Sequence, residues 1–108
     1  MSLSVTTRQR ADGTVEISPR GEIDVSNVGE VRDAVRAALG ASVPPRIEVD
    51  LWLVTLLDSS GMGALVASFR ASAAVGVPLV VTNPTPIVQR QLWVAGLTEL
   101  LGTAAPHR

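Results

Sequence analysis

The segment VTLLDSSGMGALV, residues 54–66, decides the fold class of this chain, because its pattern changes abruptly from that of a strand to that of a helix. Residues 54–57 are a short apolar run that is typical of a buried strand. After the polar and small residues DSSG at positions 58–61, apolar side chains recur at helical spacing until Gly76. The segment therefore predicts a strand that passes directly into a helix.

An antiparallel hairpin is predicted near the beginning of the chain. Runs rich in β-branched residues at Val5–Arg10 and Thr14–Ile17 flank an Asp-Gly pair, which is a frequent hairpin turn. Pro19 follows the second run, and a proline cannot donate a hydrogen bond to a neighbouring strand. We therefore expect the second strand to be interrupted or bulged near Pro19.

A helix and a further strand are predicted between the hairpin and the segment quoted above. Apolar residues recur at helical spacing from Val28, and Gly40 is expected to end this helix. Asn27 and Glu30 resemble a capping box at its beginning. Apolar and acidic residues then alternate over 47–51, which predicts a strand that continues into the apolar run that follows.

The C-terminal third predicts a short strand, a helix and a last strand. Val77–Val81 is an apolar run suited to a buried strand. Thr85 is placed to cap a helix that starts at Pro86 and ends at Gly96. The side chains expected on its buried face are Ile87, Val88, Leu92 and Ala95. The last strand is expected around Glu99–Leu101.

This order of elements predicts a small α/β domain. Strands that are joined by single helices run parallel, so we expect a mixed, mainly parallel sheet of about five strands with an N-terminal hairpin and packed helices. The 108 residues suit one domain, with a core over about 5–101 and a tail over 102–108. The tail has no apolar periodicity, and we expect its deletion to change neither stability nor partner binding.

Composition narrows the function. A net charge of −1 indicates no basic surface for nucleic acid or for a membrane. No apolar run is long enough to span a membrane, and the N-terminus lacks the pattern of a signal peptide.

The absence of cysteine excludes disulfides and thiolate metal sites. All nine basic residues are arginine and the only histidine, His107, is next to the C-terminal residue, so the usual parts of a P-loop or a serine hydrolase are missing. We expect a cytoplasmic protein that is not an enzyme and uses no cofactor or metal.

The junction at Asp58–Gly61 is the main candidate site. Backbone N–H groups and the positive end of a helix dipole meet solvent at such a junction, so a phosphate on one of its serines would be tolerated. The simpler interpretation is that Asp58 or Ser59 is an ordinary helix cap, and these four residues alone favour it because such caps are common. A dinucleotide-binding loop is excluded, because Val66 stands where its fingerprint needs glycine.

The sequence leaves the environment of both tryptophans open. Trp52 and Leu53 lie where a strand is expected to leave the sheet. They could belong to the core, which is the more common fate of a single tryptophan, or form an exposed contact surface. Trp93 lies on the predicted C-terminal helix, off its apolar face, and either environment suits it.

Four stretches in order resemble the STAS domain of bacterial anti-sigma factor antagonists. They are GEID at 21–24, VDL at 49–51, VTLLDSSGMG at 54–63, and PTPIVQRQL at 84–92 with the Gly-Leu pair that soon follows. The resemblance covers nearly the whole chain, from about Val5 to Leu101, and implies the STAS fold.

The resemblance also implies a switch that acts through protein binding. In the family, the first serine of the motif, here Ser59, is phosphorylated by a partner that is both an anti-sigma factor and a serine kinase. The unphosphorylated antagonist binds this kinase and frees its sigma factor, and a PP2C-like, metal-dependent phosphatase restores it after phosphorylation. The resemblance places Asp24 near the serine. The predicted partner-binding residues are Asp24, Asp58, Ser59, Ser60, Gly61, Met62 and Gly63, together with Trp52, which stands where the family usually has a small or polar residue.

The alternative, from a different class, is a STAS-fold module that senses a small molecule or acts as a scaffold in a signalling assembly. In that case Ser59 is only a helix cap. Phosphorylation of Ser59 by a cognate kinase would distinguish the two hypotheses. A weak homodimer is left open, whereas no direct contact with nucleic acid or a membrane is expected.

Overall fold

Five strands and three helices follow one another in residues 3–102, which are the residues that the computed structural model describes. The elements are β1 (Ser4–Gln9), β2 (Val15–Ile23), α1 (Val28–Ala41), β3 (Ile47–Asp50), β4 (Val54–Leu57), α2 (Ser59–Ala74), β5 (Leu79–Thr82) and α3 (Pro86–Val94). No helix in this range is both long and apolar enough to cross a membrane.

The strands form one mixed sheet, which confirms the predicted fold class. β1 and β2 are the predicted antiparallel hairpin. The order across the sheet is β1-β2-β3-β5, and β4 also pairs with β2. Every pair other than the hairpin is parallel. The helices α1 and α2 therefore connect strands that run parallel, as the order of elements predicted.

The predicted continuous strand over 47–57 is wrong, because this stretch forms two strands separated by a turn. β3 pairs with Val15–Ile17 in the first part of β2, and β4 pairs with Gly21–Ile23 in its last part. Leu51 remains fully buried within the turn, and its carbonyl accepts a hydrogen bond from the N–H of Val54 at 3.0 Å. One side of β2 thus carries two short parallel strands in succession.

Pro19 lies in β2 between the parts that pair with β3 and β4. On this side of β2, the N–H of Val15 donates to the carbonyl of Arg46 and the N–H of Gly21 donates to the carbonyl of Leu53, each at 3.0 Å. Pro19 is an even number of residues away from both, so its nitrogen faces the same side of β2. It lies in the gap between β3 and β4, where no neighbouring strand needs a hydrogen bond from it. β2 is therefore continuous through Pro19 and is not interrupted there, but the irregularity expected near this residue is present as a register shift between Gly21 and Glu22.

Local sequence signals identify most helix ends correctly. Thr85 caps α3 by accepting a hydrogen bond from an N–H group of the first turn at 3.4 Å, and Pro86 is the first helical residue. Gly76 and Gly96 follow α2 and α3 with a φ of 75° each, the left-handed conformation that closes a Schellman motif. The end predicted at Gly40 is one residue short, because α1 continues past it.

The helices bury apolar faces against the sheet. Alternate residues of β2 such as Ile17 are buried, and α1 and α2 pack on each other and add Val35 and Leu65 to the same core. α3 packs mainly against β4, through Val88 and Leu92, which are fully buried. The sheet and helices thus share one continuous core.

The predicted buried face of α3 is only half correct. Val88 and Leu92 are buried, but Ile87 is 61% exposed and Ala95 is exposed as well. Because α3 lies mainly against the single strand β4, only a narrow stripe of the helix is covered.

The predicted last strand around Glu99–Leu101 is a turn. Its last residue is nevertheless fully buried, and the Leu101 carbonyl accepts a hydrogen bond from the N–H of Val81 in β5 at 2.8 Å. The tail was expected to begin at Gly102, and its remaining residues, including His107, lie outside the described residues.

Candidate functional site

The candidate site lies where β2 and β4 end side by side. Ile23 and Leu57 are register partners in these parallel strands, and the N–H of Asp58 donates to the carbonyl of Ile23 at 3.2 Å. Asp24 and Asp58 are the residues that immediately follow the two strands. The structure therefore brings the GEID and DSSG stretches together, as the resemblance implied.

Asp58 is the N-cap of α2. Its backbone is extended, its Oδ1 accepts from the N–H of Gly61 at 2.9 Å, and its carbonyl accepts from the N–H of Met62 at 3.1 Å. Of the two cap candidates that the sequence offered, Asp58 takes the role and Ser59 is the first helical residue. Ser59 is exposed, and among the described residues its hydroxyl has no hydrogen-bond partner.

Gly61 allows the first turn of α2 to approach the strand ends closely. A Cβ at this position would lie 3.1 Å from Cγ2 of Ile23, 3.2 Å from the carbonyl oxygen of the same residue and 3.2 Å from Cδ2 of Leu57. A Cβ at Gly63 would meet nothing within 4 Å. Only the first glycine of the motif is therefore required by packing. Ser60, between the cap and this contact, is half-buried.

The loop after β2 is held by side-chain hydrogen bonds. Asp24 accepts from both the N–H and the hydroxyl of Ser26, at 2.9 and 2.5 Å. The hydrogen bond from the Ser26 hydroxyl is the main cause that lowers the pKa of Asp24, which burial opposes. Asp24 is thus held as a carboxylate.

Asn27 also serves this loop, so the predicted capping box is wrong. It stands at the N-cap of α1, but its side chain makes no capping hydrogen bond. Instead, its Oδ1 accepts from the N–H of Asp24 at 3.0 Å and its Nδ2 donates to the carbonyl of Glu22 at 2.9 Å. Asn27 is buried, and it therefore fixes the loop that carries Asp24.

Gln91 is a residue of this site that the sequence interpretation missed. Its Nε2 donates to the carbonyl of Leu57 at 2.7 Å, and its Oε1 accepts from the N–H of the same residue at 3.2 Å. The amide side chain thus replaces a neighbouring strand at the open edge of β4. The only signal in the sequence was a polar residue next to Leu92 on the inner side of α3.

Trp52 is the predicted site residue that lies apart from the others. Trp52 and Leu53 form the turn between β3 and β4 and are 64% and 48% exposed, so the core interpretation is wrong. Trp52 borders a cleft of about 70 Å³ beside Pro19, in the middle of β2. The four residues of β4, about 13 Å of extended chain, separate this turn from Asp58. Trp93 is also exposed, at 52%.

The site offers carboxylates and hydroxyls but no metal-binding cluster. Within residues 3–102, no group of three or more histidine, cysteine, aspartate or glutamate residues is arranged to hold a metal ion. What the arrangement provides is an exposed serine hydroxyl at the positive end of a helix, beside two acidic residues. Such an end stabilises a negative charge on its first residue by roughly 0.3–1 kcal/mol.

A family model described as "Mlab, STAS domain" matches residues 6–102 of the chain. The chain is 30% identical over 95 residues to an anti-sigma F factor antagonist of Lysinibacillus sphaericus, a match that covers 88% of this chain and 78% of that protein.

Two solved structures extend the likeness to the fold. An anti-sigma factor antagonist from Mycobacterium paratuberculosis is 26% identical, with a TM-score of 0.79 over 98% of this chain and 87% of that one. The phosphorylated form of the Bacillus cell fate determinant SpoIIAA is 24% identical, with a TM-score of 0.71 over 94% of this chain and 92% of that one.

Proposed function

Because the chain belongs to the STAS domain family and, within it, to the anti-sigma factor antagonists, we propose that it binds an anti-sigma factor that is also a serine kinase. Binding would release the sigma factor that the kinase holds. Phosphorylation of Ser59 by the same kinase would end the interaction, and a PP2C-like phosphatase would restore it. The chain itself acts as a binding protein and not as an enzyme.

The position of Ser59 is the observation that carries this proposal. The helix cap belongs to Asp58, so the Ser59 hydroxyl is exposed and takes no part in holding the fold. A kinase can therefore reach and modify it without breaking a native contact. Ser60, one residue further, is less exposed, which favours Ser59 as the modified residue.

The charges around Ser59 explain how a phosphate would act. A phosphoserine carries about −1.5 to −2 charges at neutral pH, and its own helix end tolerates them. Asp24, whose pKa is lowered mainly by the Ser26 hydroxyl, and Asp58 lie on the same surface. Burying the phosphate unpaired beneath a partner would cost on the order of several kcal/mol, enough for about a hundredfold loss of affinity. The switch would therefore operate at the interface, with no refolding of the domain.

The test combines the chain with candidate anti-sigma factor kinases and ATP, and locates phosphate by mass spectrometry of peptides. We expect one kinase to bind the unmodified chain and to phosphorylate Ser59. Ser59→Ala should abolish incorporation, whereas the matched control Ser60→Ala should still be phosphorylated. Phosphate found mainly on Ser60 or Thr55 would contradict the assignment. If no kinase binds or modifies the chain, the scaffold or ligand-sensing hypothesis takes its place.

A further inference from the structure

An apolar groove lies between the first turn of α2 and the outer side of α3. Its volume is about 410 Å³, within the range of sites that hold several apolar groups. The residues that line it are Met62, Ile87, Arg90, Gln91, Val94 and Ala95. It opens to solvent on the same side of the molecule as the start of α2.

The groove exists because α3 presents a second apolar stripe away from the core. The core side is covered through Val88 and Leu92, and the amide of Gln91 is bound to the backbone of β4. Ile87 and Val94, seven residues apart and therefore on one side of the helix, are 61% and 72% exposed. Their apolar side chains contribute little to the core, and a contiguous apolar surface of this kind is typical of an interaction site.

Met62 joins this groove to the candidate site. It follows Ser59 by three residues, so the two side chains lie on neighbouring positions of one helix face. It is half-buried in the groove wall. A partner that covers Ser59 would therefore meet the groove without leaving the surface.

Arg90 gives the groove its charge. It is the only charged residue in the wall, it is exposed, and within the described range it forms no ion pair. The surface around Ser59, in contrast, carries Asp24 and Asp58. An occupant that fits the groove needs apolar side chains together with a carboxylate opposite Arg90.

We infer that this groove receives a segment of the same anti-sigma factor, a segment that presents apolar side chains and at least one acidic residue to Arg90. The inference rests on the proposed function and extends it, because it assigns a second contact that phosphorylation of Ser59 would not modify. The groove contributes affinity, and Ser59 regulates it.

The experiment uses the anti-sigma factor that binds the wild-type chain in the phosphorylation test. Affinities are measured by isothermal titration calorimetry for Ile87→Glu, Val94→Glu, Arg90→Glu and Arg90→Lys. Trp93→Glu is the matched control, since this residue is exposed on the same helix but does not line the groove. We expect the three glutamate variants in the groove to weaken binding by about tenfold or more. Arg90→Lys, which keeps the positive charge, should bind more tightly than Arg90→Glu, and Trp93→Glu should stay within about threefold of the wild type.

The possible outcomes distinguish a failure of the groove inference from a failure of the proposed function. If Ser59→Asp weakens binding while the groove variants bind like the wild type, the groove inference is overturned and the proposed function stands. Equal weakening by Trp93→Glu would also overturn it, as would a concentration-dependent dimer of the free chain that Val94→Glu disrupts. If the wild type binds no anti-sigma factor, both fail. Thermal melting of each variant checks that these exposed substitutions leave the fold intact.

Discussion

The two ends of β2 hold acidic residues in opposite ways. At its beginning, Glu16 accepts hydrogen bonds from Arg8 at 2.8 Å and from Arg10 at 2.7 Å. Arg10 also pairs with Glu48 of β3, which Arg46 approaches to 2.9 Å. At its other end, neither Asp24 nor Asp58 forms an ion pair within the described range. Their partners are hydroxyl and backbone N–H groups.

The acidic residues at the first end stabilise the fold through ion pairs, whereas those at the other end can interact with a bound partner. The hydrogen bond that Arg10 donates to Glu16 is the main cause that lowers the pKa of Glu16, and it is also the main cause that raises the pKa of Arg10. These charges are neutralised within the fold. Asp24 and Asp58 are positioned by hydroxyl and N–H groups and form no ion pair with a basic side chain of the described residues, so their field acts on a partner that binds at the start of α2.

The largest expected effect is the loss of partner affinity on phosphorylation of Ser59, at the end of β2 that lacks ion pairs. Phosphorylation of Ser59 should weaken binding to the anti-sigma factor by about a hundredfold, since a dianion is added beside Asp24 and Asp58, which form no ion pair with a basic side chain of residues 3–102. Ser59→Asp, with one charge in place of two, should reproduce only part of this loss.

Backbone amide chemical shifts of the free chain provide the matching structural measurement. Phosphorylation should move the resonances around Asp24 and residues 58–63 and leave those around Glu16 unchanged. Shifts that spread across the sheet to Arg10 would show that the two ends are coupled, and would contradict a switch confined to the interface.

Packing at the site gives the next largest effect. Gly61→Ala should destabilise the fold by about 1–3 kcal/mol, because its Cβ would press on the backbone and side chain of Ile23. Gly63→Ala is the matched control and should be neutral or stabilising by up to about 1 kcal/mol, since it lies within a helix and has free space around it. Urea denaturation of both variants measures the difference. Equal stabilities would mean that the strand ends yield to the added methyl group.

The helix cap gives a smaller effect that distinguishes Asp58 from its neighbour. Asp58→Ala should cost about 1 kcal/mol, because the N–H of Gly61 loses its acceptor. Asp58→Asn keeps an acceptor and should recover most of the loss, while Ser59→Ala should leave the free energy of unfolding nearly unchanged. A comparable loss from Ser59→Ala would show that its hydroxyl does contribute to the cap.

The smallest expected effect is on the stability of the fold and its dependence on pH, through the ion pairs of Glu16 at the beginning of β2. The folded pKa of Glu16 is lowered from its ordinary value of 4.5, so its stabilising effect is complete above that value and is lost as the pH falls through the folded pKa. Glu16→Gln should lower the Tm at pH 7 and flatten the loss of stability on acidification below about pH 4.5. Asp33→Asn is the control, since its pair with Arg36 is largely exposed and should contribute almost nothing. A Glu16→Gln profile that parallels the wild type would mean that the network adds no stability.

Sequence patterns identified the candidate site better than its surroundings. The junction at Asp58–Gly61 is contiguous in the chain and was found from its own pattern, whereas the proximity of Asp24 was implied by the family resemblance. Gln91 and Asn27 were missed in their actual roles, because each binds the backbone of another element and leaves no periodic signal. The sequence left the environment of Trp52 open between core and exposed surface, because a local pattern does not show what packs over an apolar residue, and the structure shows that it is exposed.

Local patterns in the sequence predicted the N-terminal hairpin, the three helices and most of the helix ends correctly. A carboxylate at Asp58, a Thr-Pro pair at 85–86, and glycine at Gly76 and Gly96 act on backbone groups within a few residues, so their effect is local and readable. The α/β class follows from the same local signals, because alternating strands and helices leave few ways to build a sheet.

Which strands and helices pair with one another depends on contacts between residues that are far apart in the chain. The stretch over 47–57 divides into two strands because β2 offers two pairing sites, separated by Pro19, and not because of any signal between them. The turn at Glu99–Leu101 contacts β5 through one hydrogen bond, in which the carbonyl of Leu101 accepts from the N–H of Val81, and no strand forms there. Which side of α3 faces solvent depends on β4 being its main support. In each case the deciding hydrogen bonds or contacts join residues far apart in the chain, and a local pattern carries no information about them.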